Sequence, residues 1–235
     1  MKYFYLALLG MLVAGCNTKG ARITGAAHGL NGEVVSIIDS AGAIVDSAVI
    51  SGGQYRIKLP ELKAPGYFTF SVQQDGHPRD FEIYLENVKY IIDIPVKTTD
   101  YLRVKTTSKT QNELSAYCNF EDSLMYRFHH EVDSLNVKIT DADSKKLSDA
   151  EFDEKVKQIQ WAQAREKGAR IGIMSSFIDK YPQYEIVAHI IAGMDYKNNP
   201  QEYYLVYEKL SPSAKNSSEG KRLGAALRSM LNIKN

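Results

Sequence analysis

A histidine and an aspartate four residues apart are the side chains best spaced to bind a metal ion. On a helix, His129 and Asp133 share one face, so an imidazole and a carboxylate could reach the same cation. Zinc sites use three or four protein ligands, and this cluster offers two. The segment 141–145 has alternating aspartates but lacks the glycine and distal glutamate of a calcium loop. We therefore predict solvated polar segments and no metal ligands.

Other residues capable of chemistry lack the neighbours that their chemistry requires. Ser175 and Ser176 are not flanked by the glycines of a hydrolase nucleophile turn. The Gly52-Gly53 pair is not followed by the helix start and Lys-Ser/Thr of a phosphate-binding loop, so it indicates a hairpin turn. His189 follows an apolar helical run and is typical of a packed helix residue. We predict no catalytic and no cofactor-binding residue, and whether the chain is an enzyme stays open.

The two cysteines argue against dithiol chemistry. Cys16 and Cys118 are the only ones in the sequence, and they form no Cys-x-x-Cys motif. Cys118 lies in the predicted helical segment 114–118, where a buried and inert thiol is the ordinary situation. A reactive thiol would need an electropositive and exposed setting, for which the sequence gives no sign.

Cys16 closes a short apolar run in a way that resembles the lipobox of a bacterial lipoprotein. Lys2 supplies a positive start, the stretch 3–13 carries no charge, and Val13-Ala14-Gly15 precede the cysteine. This stretch is much shorter than the about 20 residues of a membrane-spanning helix. We predict a signal peptide at 1–15 and a lipidated tether at 16–20, with acyl chains such as palmitate on Cys16. An uncleaved membrane anchor and an ordinary secretory signal are the alternatives.

Composition predicts a folded body in aqueous surroundings. Hydrophobic residues make up 44% and charged residues 24% of the sequence, as in ordinary globular proteins. There are 29 basic and 28 acidic side chains, and one basic residue belongs to the predicted leader. Because the remaining charges balance, we predict no nucleic-acid partner.

The pattern of apolar residues changes near residue 107. Up to that point, eight short β-branched or alternating runs are separated by turn dipeptides such as Asn31-Gly32 and Gly52-Gly53. Afterwards apolar residues recur every three or four positions, with capping boxes predicted at Thr110–Glu113 and Ser148–Glu151. The chain is therefore predicted to be α+β, with an antiparallel β-sandwich at 21–106 followed by an all-helical region at 107–235.

Tyrosines are concentrated in the last predicted helices. The sequence has 15 of them, and most are expected to pack at the edge of the core. A tyrosine-lined recognition surface is the alternative, because such rings supply contact area at low entropic cost. Tyr203 and Tyr207 are the candidate partner-binding residues for such a surface.

Several short motifs occur along the strands and at the ends of the helices: Ile23–Gly25, Asp46–Val49, Gly53–Tyr55, Phe81–Asn87, Ser108–Glu113 and Phe177–Pro182. Together they resemble a domain of unknown function that precedes a thioredoxin-like domain in many Gram-negative envelope lipoproteins. In those relatives paired cysteines follow, whereas this sequence ends at Asn235 without them. The resemblance therefore implies a fold and a compartment, and it transfers no redox residue to this chain.

These observations favour a lipid-anchored protein of the cell envelope that acts as a non-catalytic binding or assembly module. Its membrane is the inner or the outer one, and its body lies in the periplasm or at the cell surface. The expected partner is an envelope protein or a glycan. The resemblance supplies one alternative, an accessory to a thiol–disulfide oxidoreductase system whose thioredoxin-like domain is absent from this chain.

Overall fold

A computed structural model describes residues 20–74, 76–96, 100–143 and 148–233 of the 235-residue chain. Within the first helix it does not describe the side chains of residues 127, 129–133 and 135–143. The predicted signal peptide, residues 16–19 of the predicted tether, and the side chains of the predicted polar segments at 129–133 and 141–145 all lie outside the described residues.

Eight strands form the first half of the described chain. Their bounds are β1 (Arg22–Ala26), β2 (Val34–Ile38), β3 (Ile44–Val49), β4 (Gln54–Lys58), β5 (Gly66–Gln74), β6 (His77–Leu85), β7 (Lys89–Asp93) and β8 (Arg103–Thr106). Alternation is clearest in β4, where Tyr55 and Ile57 are buried while Arg56 and Lys58 are exposed. The prediction of a half-buried strand there is confirmed.

The strands form two four-stranded sheets. We call the one with the order β4-β1-β7-β8 sheet A and the one with the order β3-β2-β5-β6 sheet B. The prediction of purely antiparallel pairing is wrong at one place, because β1 pairs with β7 in parallel, with Ile23 opposite Tyr90. Parallel neighbours need a long crossover, and the five strands between β1 and β7 in the chain supply it.

One cluster of buried side chains draws on both sheets. Sheet A contributes Ile23 and Ile92, sheet B contributes Phe70 and Ile83, and all four are fully buried. Burial of large aliphatic and aromatic side chains is the main stabilising term for such a body, at about 25 cal/mol per Å² of apolar surface. The strand part therefore has a core of its own.

Six helices follow the strands in the described residues. They are α1 (Lys109–Asp143), α2 (Asp149–Lys180), α3 (Ile186–Gly193), α4 (Pro200–Glu208), α5 (Pro212–Asn216) and α6 (Ser218–Met230). The predicted α+β class, with strands before helices, is confirmed. No helix in the described part of the chain is long and apolar enough to cross a membrane.

Of the two capping boxes predicted from the sequence, one is confirmed and the other is wrong. At Ser148 the backbone N–H donates to Glu151 Oε2 at 3.0 Å, so the predicted capping box is confirmed. The box predicted at Thr110 is wrong, because α1 begins at Lys109 and Ser108 Oγ accepts the N–H of Gln111 at 3.3 Å. A serine two residues earlier thus caps the helix, and this frees the side chains at 111 and 113 for contacts with other elements.

Candidate functional site

A cleft of about 430 Å³ lies where strand β6 meets helices α1 and α3. A volume of this order is typical of ligand pockets. The polar side chains that line it are Asp80, Glu82, Cys118, Glu121, Asp122 and His189. Carboxylates dominate this lining, and two buried tyrosines and several apolar side chains complete it.

Gln111 holds helix α1 against strand β6. Its side chain is fully buried, and its Oε1 accepts the backbone N–H of Tyr84 at 2.6 Å. Its Nε2 donates to Ser115 Oγ at 2.9 Å, within the same helix. A buried amide with these partners is satisfied at both ends, so it specifies the position of α1 on the sheet.

Glu113 holds the start of helix α3. The carboxylate is buried, and its Oε2 accepts the N–H of Glu185 at 2.9 Å and that of Ile186 at 3.3 Å. The first amides of a helix have no partner within the helix, and a negative charge there is also favoured by the helix dipole. Glu113 therefore sets where α3 begins, and with it the position of His189 one turn later.

His189 joins the helical part to sheet B. Its ring stacks on Tyr67 of β5, with the ring centroids 3.4 Å apart and the planes 4° from parallel. Its Nδ1 lies 2.8 Å from Glu219 Oε1 of α6, and its Nε2 lies 3.1 Å from Glu82 Oε2 of β6. Elements distant in sequence thus meet at one imidazole.

The two carboxylates keep this imidazole protonated. Burial alone would lower the pKa of His189, but the hydrogen bonds to Glu219 and Glu82 outweigh it and raise the pKa to about 9. With both ring nitrogens donating to carboxylates, no lone pair remains to accept a proton from a substrate. At neutral pH the residue is a clamp between the helices and sheet B and cannot act as a general base.

The remaining carboxylates of the cleft differ in how far they are neutralised. Glu121 Oε1 lies 2.7 Å from Arg170 Nη1 of α2. Asp122 Oδ2 accepts the backbone N–H of Tyr101 at 2.6 Å. Asp80 is exposed, and within the described residues it forms no ion pair. The cleft therefore presents net negative charge, and Asp80 is an exposed carboxylate that a ligand can reach.

The other candidate nucleophiles in the cleft are held in their neutral forms. Cys118 is partly buried, and this desolvation, followed by nearby acidic groups, raises the pKa of its thiol far above its usual range. Burial likewise raises the pKa of the Tyr101 and Tyr117 hydroxyls. Since the thiolate is the reactive form of cysteine, these residues supply no activated nucleophile next to a free base.

We predict that Cys118 reacts slowly in the folded protein. In a Cys16→Ser chain it is the only thiol, so a disulfide reagent such as DTNB reports on it alone. Labelling at about pH 8 should be at least about 100-fold slower in the native protein than in the same protein unfolded in urea, because burial disfavours the thiolate. Equal rates in the two states would contradict an inert thiol.

The structure corrects the prediction for the tyrosine candidates. Tyr203 and Tyr207 are only 3% and 4% exposed, and both belong to the core of the helical part. The Tyr207 ring lies directly over Gly224, where a Cβ atom would come within 2.2 Å of its hydroxyl oxygen. Because both rings are packed inside the core, neither is available to contact a partner.

Sequence reasoning did not find the site around His189. Glu82, His189 and Glu219 lie on three different elements, and no local spacing connects them. The expectation of a packed helix residue was right about the location of His189 and missed its ion pairs. The one available signal was an imidazole within the otherwise apolar run of α3, which needs partners if it is buried.

Comparisons with known protein families, with curated proteins and with solved structures found no match to this chain. The resemblance to the domain that precedes a thioredoxin-like domain therefore stays a hypothesis.

Proposed function

We propose that the chain is a lipid-anchored protein of the cell envelope that works as a non-catalytic binding or assembly module. In this proposal Cys16 carries the acyl chains, and the body stands in the periplasm or at the cell surface on the inner or the outer membrane. The two sheets would form a β-sandwich at residues 21–106, which the buried cluster shared by both sheets supports. The helical region at 107–235 would form the partner site together with strand β6.

The observation that carries a binding function is the acidic cleft at the junction of β6, α1 and α3. It has the size of a ligand pocket, yet its imidazole, thiol and hydroxyls are all held protonated. Such a site can attract and orient a cation, and its imidazole, thiol and hydroxyls are not in the forms that act as a general base or a nucleophile. The ligand class that fits is an ammonium or guanidinium group on an envelope protein or on an amine-bearing glycan.

We expect the cleft to bind tetra-lysine, and binding should weaken when Asp80 loses its charge. Calorimetric titration of tetra-lysine into the wild-type chain and into Asp80→Asn should show about a fivefold loss of affinity, the size expected for one partly exposed charge pair. Asp153→Asn makes the same change on an exposed position of α2, away from the cleft, and should leave affinity unchanged. No binding by the wild type, or equal affinity of the two variants, would overturn the assignment of this cleft.

Anchoring is tested separately by mass spectrometry of the mature N-terminus. The proposal expects a chain that begins at Cys16 with a mass excess corresponding to acyl chains, recovered with the membrane fraction. A Cys16→Ser chain should lose both the mass excess and the membrane association. Finding the unprocessed and unacylated chain in the cytosol would contradict this part of the proposal and leave the cleft assignment standing.

An accessory role in thiol–disulfide chemistry rests on the family resemblance alone. In that role the chain would position a separate redox protein and would take no part in the exchange, because its Cys118 thiol is held protonated. A thioredoxin-like protein encoded nearby and co-purifying with this chain would favour it.

A further inference from the structure

The outward face of sheet A is densely basic. Its outward strand positions carry six cationic side chains, which we call the basic face: Arg22, Arg56, Lys58, Lys89, Arg103 and Lys105. The alternation of buried and more exposed positions places all six on the side of the sheet away from the shared core. The whole sequence is nearly neutral, so this concentration is a local feature of the fold.

The strand register brings like charges side by side. Arg22 lies opposite Lys58 on one neighbouring strand and opposite Lys89 on the other. Like charges directly across strands are destabilising, so the arrangement does not serve the stability of the sheet. Lysines commonly protect exposed sheet edges, and this accounts for cations on β4 and β8. It does not account for Arg22 and Lys89, because β1 and β7 are interior strands.

Most of these cations have no ion-pair partner in the part of the chain that the structure describes. Within the described residues, the ion pairs involve none of the cations at 56, 58, 89, 103 and 105. Asp93 lies on the same face, and its Oδ1 already accepts the backbone N–H of Ala26 at 2.9 Å. Asp46 of the nearby strand β3 accepts the backbone N–H of Lys58 with its Oδ2 at 3.4 Å and forms no ion pair with the Lys58 side chain. The face therefore projects a positive field into solvent.

The basic face surrounds a hollow that has an apolar centre. A hollow of about 600 Å³ lies over β4, β1 and β7, bordered by Arg22, Arg56, Lys58 and Lys89. Ile91 stands in it with 47% of its surface exposed. Cations around an exposed aliphatic side chain match a surface of phosphate groups above acyl chains.

The chain leading to this face places it near the predicted anchor. Arg22 is the first residue of β1 and follows Cys16 by six residues. A fully extended segment of that length spans at most about 20 Å, so a lipid on Cys16 would hold the face close to the headgroups. This step rests on the proposed anchoring, whereas the charge and shape of the face do not.

We propose that the basic face of sheet A docks the protein on an anionic lipid surface, with the cations contacting phosphate headgroups. Helix α1 contacts the edge strands β6 of sheet B and β8 of sheet A, and the acidic cleft lies beside β6, so the cleft does not lie on the basic face and stays open to a partner when that face is docked. Docking by the sheet adds orientation to an anchor that by itself would allow the body to rotate freely. The interaction is electrostatic and weakens as salt screens it.

Co-sedimentation with vesicles tests this without any lipid anchor. The mature-length chain, residues 16–235 with Cys16→Ser, is mixed with vesicles of phosphatidylcholine alone or with one third phosphatidylglycerol. We expect binding to the anionic vesicles at low salt, loss of binding at high salt, and little binding to the neutral vesicles. The double variant Lys58→Glu/Lys89→Glu should bind at least about 30-fold more weakly, since two cations near the surface are lost and two anions are added.

The matched control is Lys155→Glu/Lys157→Glu, which makes the same charge change on helix α2. It should bind like the parent chain, and circular dichroism of both double variants should match the parent, which separates docking from folding. Equal binding to neutral and anionic vesicles, or equal loss in both double variants, overturns the proposal. Retention on a heparin column without vesicle binding also overturns it, in favour of a soluble polyanion. Because the chain carries no acyl group, failure of docking leaves the anchoring proposal untouched.

Discussion

Replacing Gly25 with alanine is expected to destabilise the protein by about 3 kcal/mol or more, although it adds a single methyl group. Gly25 lies in β1, and a Cβ atom there would come within 1.7 Å of the Ile92 carbonyl oxygen of β7. That carbonyl also accepts the hydrogen bond of the buried Tyr55 hydroxyl. The clash is therefore with backbone that is fixed on its other side, and the two central strands of sheet A would have to separate.

Urea unfolding followed by circular dichroism measures this effect. Gly168→Ala is the matched control, because Gly168 lies in helix α2 and a Cβ atom there would have nothing within 4 Å. That control should stabilise the protein by up to about 1 kcal/mol, through helix propensity alone. If Gly25→Ala unfolded at the same urea concentration as the wild type, the close approach of β1 and β7 would be wrong.

The second large effect concerns pH and the clamp at His189. The pKa of His189 is raised from 6.5 to about 9 in the folded protein. A raised pKa contributes stability that is fully present below pH 6.5 and is lost as the pH rises through about 9. Glu82 is half exposed, so solvent screening reduces the full value of the shift, and we expect a loss of about 2 kcal/mol.

The measurement is the free energy of unfolding at about pH 6 and about pH 10 for the wild type and for His189→Gln. The wild type should be the more stable protein at the lower pH, and the difference between the two should shrink at the higher pH. His77→Gln, at an exposed position of β6, is the control and should follow the wild type at both values. A constant difference between wild type and His189→Gln would show that the imidazole contributes by packing on Tyr67 alone.

The local structure of this protein follows closely from its sequence. The change from strand to helix period, the half-buried β4 and the start of α2 at Ser148 were all predicted. Each depends on residues within one turn or one strand of each other, where alternation, turn glycines and capping side chains act directly on the backbone. The N-cap of α1 was predicted at Thr110 and lies at Ser108. This error is also local, because two side chains two residues apart compete to cap one helix.

Contacts between residues that are far apart in the sequence were decided by tertiary packing. No sequence pattern indicated that β1 and β7 would run parallel, or that Glu82 and Glu219 would meet at His189. The sequence left both core packing and a partner surface open for the tyrosines, and the burial of Tyr203 and Tyr207 decides for core packing. The basic face also depends on tertiary structure, since its members are spread from residue 22 to residue 105 in a chain of nearly zero net charge. Composition and spacing report on neighbours along the chain, whereas charge complementarity and burial depend on which surfaces the fold brings together. The predicted compartment came from the residues around Cys16 and from the family resemblance, and the cleft and the basic face came from the tertiary structure.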